Sequence, residues 1–239
     1  MTIQLKNVLE QIKDHSIFSE FDFRLAGGTA LSYYIEHRES EDLDFFINGK
    51  LPTNEIENFI KFCIEIYGEE KVVPLEASKN QQYEFERDGD SIDNYQQDWL
   101  ISDVKITFFD CSHNVGNQDI FDQDLYSFYG NIKIMSVESI FKLKSLMFYK
   151  RLKIRDYFDL YVLYSRADYR FSFNDTLKLI QQYELAYQGE GIKLFLLTLE
   201  QKIKQYDQNY DQPIYTLVDN PASFEYLSKY VLSNLSNLI

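Results

Sequence analysis

The chain has 239 residues, 45% of them apolar, enough to fill one large or two small domains with a genuine core. Its net charge of −14 excludes sequence-independent binding of nucleic acid over a wide surface, which relies on many Lys and Arg contacts to phosphate. No run of eighteen apolar residues occurs and Met1-Thr2-Ile3-Gln4-Leu5-Lys6 has no signal-peptide core, so a cytoplasmic protein without a membrane span is expected.

In chain order, Ile3, Val8, Leu9 and Ile12 have helical spacing and predict a helix from Ile3 to Lys13. Phe23 to Ala26 predicts a strand running into Gly27-Gly28-Thr29, with a helix behind it from Ala30 to Glu36. Glycines before a helix let backbone N–H groups approach a polyphosphate, because no Cβ intervenes and the helix N-terminus carries partial positive charge. Leu43 to Ile47 predicts the next strand. Residues i and i+2 of a strand share a face, so Asp42 and Asp44 aim their carboxylates together, as a hard divalent cation such as Mg²⁺ or Mn²⁺ requires. Ser40 adds a hydroxyl nearby.

A helix is then expected from Pro52 to Tyr67, capped by Thr53 or Asn54, with Ile56, Phe59, Ile60 and Cys63 as its apolar stripe. Strands are expected near Val72–Leu75, Gln82–Arg87 and Leu100–Phe109, the last two separated by a polar loop over Asp88–Asp98. From Ser136 the pattern turns helical, with helices near Val137–Arg151, Arg155–Ser165, Asn174–Tyr187, Gly191–Tyr206 and Ala222–Leu235. The fold class is therefore mixed α/β (α+β), with an α/β domain over 1–133 and a helical domain over 134–239. The active site is expected in the cleft between them.

Six cations, Lys142, Lys144, Lys150, Arg151, Lys153 and Arg155, fall within fourteen residues and form either a local phosphate-binding patch or a solvated helix face. Lys144 and Arg151 are two helical turns apart and share a face that suits phosphate oxygens. Asp156 and Asp159, three apart, share a face of the following helix. Cys63 and Cys111 lack zinc-ligand spacing, and no Gly-x-Ser-x-Gly elbow or Gly-x-x-x-x-Gly-Lys loop is present. The three histidines are scattered, which leaves no histidine catalyst in view.

Gly27 to Leu31, His37-Arg38, Ser40 and Asp42-Leu43-Asp44-Phe45-Phe46, followed by Met135 to Ser139, Lys144, Arg151 and Arg155-Asp156-Tyr157-Phe158-Asp159-Leu160, resemble the nucleotidyltransferase superfamily and, within it, the AbiEii/AbiGii toxin family. The resemblance covers roughly residues 20 to 165. It implies a nucleotidyltransferase-like mixed sheet flanked by helices, followed by a helical bundle. The implied activity is Mg²⁺- or Mn²⁺-dependent transfer of a nucleotide from an NTP to an RNA (tRNA) or protein acceptor, in a toxin of a bacterial toxin–antitoxin or phage-defence system. Asp42 and Asp44 would be the metal ligands, and Gly27, Gly28, Thr29 and Ser40 would hold the triphosphate. By the same resemblance Lys144 and Arg155 are assigned to phosphate, and Asp156 and Asp159 to orienting those cations or acting as acids. Asp159 as a buried structural ion pair is the alternative. A cognate antitoxin is implied too, acting through modification or expression control without a stable complex.

The superfamily's third carboxylate would align with Thr107, where the acid is missing; Asp103 and Asp110 flank that strand on opposite faces. This departure keeps two other readings open, a degenerate nucleotide- or partner-binding relative and a phosphotransferase.

Overall fold

The computed structural model describes residues 1–207, 218 and 222–239. Its chain divides into two compact units, Met1–Val137 and Glu138–Ile239.

In the first unit, α1 (Ile3–Ile12) buries Leu5, Val8, Leu9 and Ile12, and the Thr2 hydroxyl caps it by accepting from Leu5 N. After the single turn α2 (Ile17–Glu20) the chain enters β1 (Arg24–Ala26), α3 (Gly27–Ile35) and β2 (Asp42–Ile47). Next come α4 (Thr53–Tyr67), β3 (Val72–Leu75), α5 (Lys79–Arg87), β4 (Gln96–Ile101), β5 (Val104–Asp110), α6 (Val115–Asp122), β6 (Ser127–Tyr129) and β7 (Ile132–Ile134). The strands form a seven-stranded mixed sheet in the order β3-β4-β5-β2-β1-β7-β6. β2 lies at its centre, antiparallel to β1 and parallel to β5.

Strand periodicity gives this sheet two chemically different faces. Register sets Leu25, Phe45 and Phe108 side by side across β1, β2 and β5. Phe18, Phe23 and Phe59 close over that row, with Phe18 at 4.7 Å from Phe45 and Phe59 at 5.6 Å from Phe108 between ring centroids. One residue along each strand, Ala26, Asp44, Thr107 and Asp98 form the neighbouring row, and these side chains project from the opposite face.

Three local expectations are corrected. Gln82–Arg87 belongs to the helix α5 rather than to a strand. The alternation of Tyr83 and Phe85 with polar residues imitates a strand, but the run is rich in Gln, Glu, Lys and Arg, which favour helix, and Tyr83 stays 66% exposed. Leu100–Phe109 is not one strand but parts of the hairpin β4–β5, which reverses at Ser102 and Asp103 with φ of +47° and +65°. Left-handed geometry at both central residues is the two-residue turn that matches strand twist. The Gln4 side-chain amide, donating to the Ser102 carbonyl and hydroxyl at 2.8 Å each, holds this turn to α1. Finally, neither Thr53 nor Asn54 caps α4: its N-cap is Pro52, which makes no side-chain cap bond. The predicted stripe Ile56, Phe59, Ile60 and Cys63 is buried.

The second unit is helical: α7 (Val137–Met147), whose first residue still counts with the sheet unit, then α8 (Ile154–Ser165), α9 (Phe173–Tyr183), α10 (Gly191–Lys204) and α11 (Phe224–Ser236). α9 opens with a full capping box between Ser172 and Asp175. α8 and α11 pack together, Tyr157 against Phe224 and Tyr161 against Tyr230, both with ring centroids at 5.0 Å. No helix among the described residues is long and apolar enough to cross a membrane.

Candidate active site

In the sheet unit, β1 delivers the chain directly into α3 at Gly27. The N-cap Ala26 supplies no side-chain bond, so the first-turn N–H groups carry no side-chain cap. Gly27 has φ of +68°, and a Cβ placed on it would collide with the Asp44 carboxylate oxygen Oδ2. A Cβ on Gly28 would land on the Arg38 guanidinium, 3.2 Å from its Cζ and 3.3 Å from Ser40 Oγ. The missing side chains thus clear room for two charged groups. Along β2, Asp42, Asp44 and Phe46 are half-buried on one face while Leu43, Phe45 and Ile47 are buried on the other, so the two carboxylates share a face.

Thr29 and Ser40 lie inside this corner. The Thr29 hydroxyl is hydrogen-bonded to Ser40 Oγ at 2.9 Å and donates to the Asp42 carbonyl. Both residues are buried, and their hydroxyls tie the start of α3 to the start of β2. Arg38, which the sequence marks only through the dipeptide His37-Arg38, joins the corner in the fold. It is only 7% exposed, its Nη1 donates to the Glu39 carbonyl at 2.8 Å, and Ser32 Oγ holds its own carbonyl at 3.0 Å.

The corner therefore offers two hard oxygen ligands, a helix N-terminus without a side-chain cap and a fixed guanidinium. Among the described residues no set of three or more His, Cys, Asp or Glu side chains is gathered around one point. A Mg²⁺ held by Asp42 and Asp44 would complete its shell with water and substrate phosphate, as Mg²⁺ sites on one or two carboxylates do. The donor set fits that ion.

Neither flanking acid stands in for the missing third carboxylate. Asp103 sits in the hairpin turn, and Asp110 pairs in register with Ile47 on the phenylalanine face. There its Oδ1 accepts from Gly49 N at 3.0 Å and Ser112 N at 2.7 Å. The cysteines play no part: both are free and buried, and burial pushes each thiol up to about 12.

In the helical unit, Lys144, Arg151, Asp156 and Asp159 are brought together. Lys144 Nζ lies 2.9 Å from Asp156 Oδ1 and 2.7 Å from Asp159 Oδ2, and Arg151 Nε lies 3.0 Å from Asp156 Oδ2. Their meeting does not come from one helix face, because α7 ends at Met147 and the chain turns to bury Phe148 and Tyr149 before reaching Arg151. Asp156 and Asp159 do share a face of α8, both engaging Lys144. Burial alone pushes the Asp156 carboxyl up, but the charges of Lys144 and Arg151 outweigh it and hold the group below the ordinary carboxylate range. Arg155 is half-buried in the first turn of α8. Among the clustered cations, Lys142 pairs with Glu138, Lys144 and Arg151 pair as above, and Lys150 pairs with Glu184. Most of the basic run is thus locally neutralised.

Replacing Gly28 by Val is expected to lower nucleotide affinity at least about tenfold, since the branched side chain displaces Arg38 and blocks backbone approach. Titration of fluorescent NTP analogues into the folded variant checks this. Unchanged affinity removes the glycine corner from the site.

The sequence pattern of the family described as "Nucleotidyl transferase AbiEii toxin, Type IV TA system" matches residues 14–227. Two solved Helicobacter pylori proteins are similar over most of the chain. One, described as a candidate nucleotidyltransferase, is 15% identical, with 100% of this chain and 99% of the other covered and a TM-score of 0.47. The other, JHP933, is 13% identical, with 98% and 92% covered and a TM-score of 0.44. No curated protein matches the chain.

Proposed function

The chain belongs to the AbiEii family of nucleotidyltransferase toxins of type IV toxin–antitoxin systems, and from that premise we propose that it moves a nucleotide from an NTP to a hydroxyl of an RNA, such as a tRNA end, or of a protein. The observation that carries this reading is the shared face of Asp42 and Asp44 against the side-chain-free corner of Gly27 and Gly28. Asp42 and Asp44 would hold Mg²⁺, which when bound neutralises the polyphosphate and the leaving pyrophosphate. The α3 N-terminus would donate its backbone N–H groups to phosphate oxygens, and Arg38 would oppose the remaining negative charge. Thr29 and Ser40 keep α3 and β2 in fixed relation, so the corner needs no rearrangement when substrate arrives. Any side chain at residue 27 would collide with the Asp44 carboxylate and displace it, and the backbone there is left-handed, which is why glycine is required.

The test is incubation with Mg²⁺ and NTPs labelled at the α or γ phosphate. Retention of α label on tRNA or protein is the expected result. Retention of γ label alone identifies a phosphotransferase, and retention of neither favours a nucleotide-binding relative without transfer.

A further inference from the structure

Strand register places Asp44, Thr107 and Asp98 in one row across β2, β5 and β4, on the face that carries Asp42. Thr107 is only 8% exposed, and its hydroxyl donates to Asp98 Oδ1 at 2.7 Å. Asp98 Oδ2 in turn lies 3.1 Å from Lys105 Nζ and accepts from Gln96 Nε2 at 3.1 Å. A threonine hydroxyl has one proton; with that proton directed at Asp98, Thr107 presents only lone pairs to a group beside Asp44. Asp98 also lines a cavity of about 760 Å³ together with Leu75, Gln96 and Trp99, which connects it to solvent.

Resting on the transferase reading above, we propose that Thr107 and Asp98 form the proton-accepting pair for the attacking hydroxyl, the carboxylate acting from one strand further out than residue 107. The acceptor O–H bond breaks as its proton passes to Thr107 Oγ1, and the original Thr107 proton passes to Asp98 Oδ1. The acceptor oxygen bonds to the α-phosphorus, and the bond from that phosphorus to the bridging oxygen breaks, so pyrophosphate leaves with the electron pair. Asp98 returns its proton to water through the cavity. Thr107 is the residue that touches substrate; Asp98 is a positioning residue acting through it.

The experiment uses the full chain with Mg²⁺, each α-labelled NTP and bulk bacterial tRNA or soluble bacterial protein as acceptor. Asp98→Asn keeps a hydrogen-bond acceptor for Thr107 but not a proton acceptor of useful strength. It is expected to lower kcat about 100-fold with KM for NTP within about twofold and an unchanged melting temperature. Thr107→Val should do the same, whereas Thr107→Ser keeps the rate within about tenfold of wild type. The decisive variant is Asp98→Asn/Thr107→Asp, which moves the acid to residue 107 and should recover at least about tenfold over Asp98→Asn alone. An active wild type with an equally active Asp98→Asn overturns the assignment alone, as does a loss that follows melting temperature and is not recovered by the swap. A wild type that transfers nothing overturns the transferase reading and this assignment with it.

Discussion

Replacing Asp44 by Ala abolishes nucleotide transfer, and with it any arrest of a bacterial host on induction, while the folded state persists. Asp44 shares its face of β2 with Asp42 and is half-buried, so it contributes little apolar packing. Two neighbouring carboxylates repel each other when no cation lies between them, and removing one therefore costs little stability. The loss of rate is large because a metal ligand acts on charge that develops in the transition state, worth several kcal/mol. α-Label transfer, Mg²⁺-dependent thermal shift and growth after induction measure the three components. Full metal-dependent activity in Asp44→Ala, or equally in Asp42→Ala, would show that the metal is held elsewhere.

Lys144→Met has the opposite signature, with folding lost first. The Lys144 side chain is 8% exposed, and those of its partners Asp156 and Asp159 are 4% and 0% exposed. Removing the ammonium takes away the cation shared by two buried carboxylates, a change that costs about 3–5 kcal/mol. Neutralising them in the triple variant Lys144→Met/Asp156→Asn/Asp159→Asn should restore a large part of the stability. The pH dependence has a definite sign. Because Asp156 is held below its ordinary value when folded, its stabilising contribution is fully present above the unfolded pKa of about 3.9 and disappears as pH falls through the folded one. The variant lacks that contribution, so its gap in melting temperature from wild type narrows as pH is lowered below about 4. A gap that stays constant, or a variant as stable as wild type, contradicts a structural role for the network.

The central strand was legible because Asp42, Leu43, Asp44, Phe45 and Phe46 write its two faces directly into residue order. The same holds for Gly27 and Gly28, whose lack of side chains is itself the signal. Asp98 was hidden for a local reason. A two-residue turn of Ser102 and Asp103 carries no glycine or asparagine, so the hairpin was merged into one strand and Asp98 was left in a polar loop. The acids nearest to residue 107 in sequence, Asp103 and Asp110, lie beside or at the end of β5, whereas the carboxylate meeting Thr107 lies on β4. Periodicity tells which side of a strand a residue occupies; only pairing tells which residue stands next to it. Arg38 escaped for a related reason, because its partner Gly28 is ten residues earlier and contributes no side chain to pair with.

The alternation along β2 also acts as a proofreading device for folding. A slip of one residue against β1 or β5 would drive Asp42 and Asp44 into the layer of Phe18, Phe59 and Phe108 and expose Phe45 to water. Such an isomer pays for the error twice, in buried charge and in lost aromatic packing. Misregistered chains therefore do not accumulate as stable, inert copies: the molecules that survive as folded protein are those whose carboxylates already face outward together.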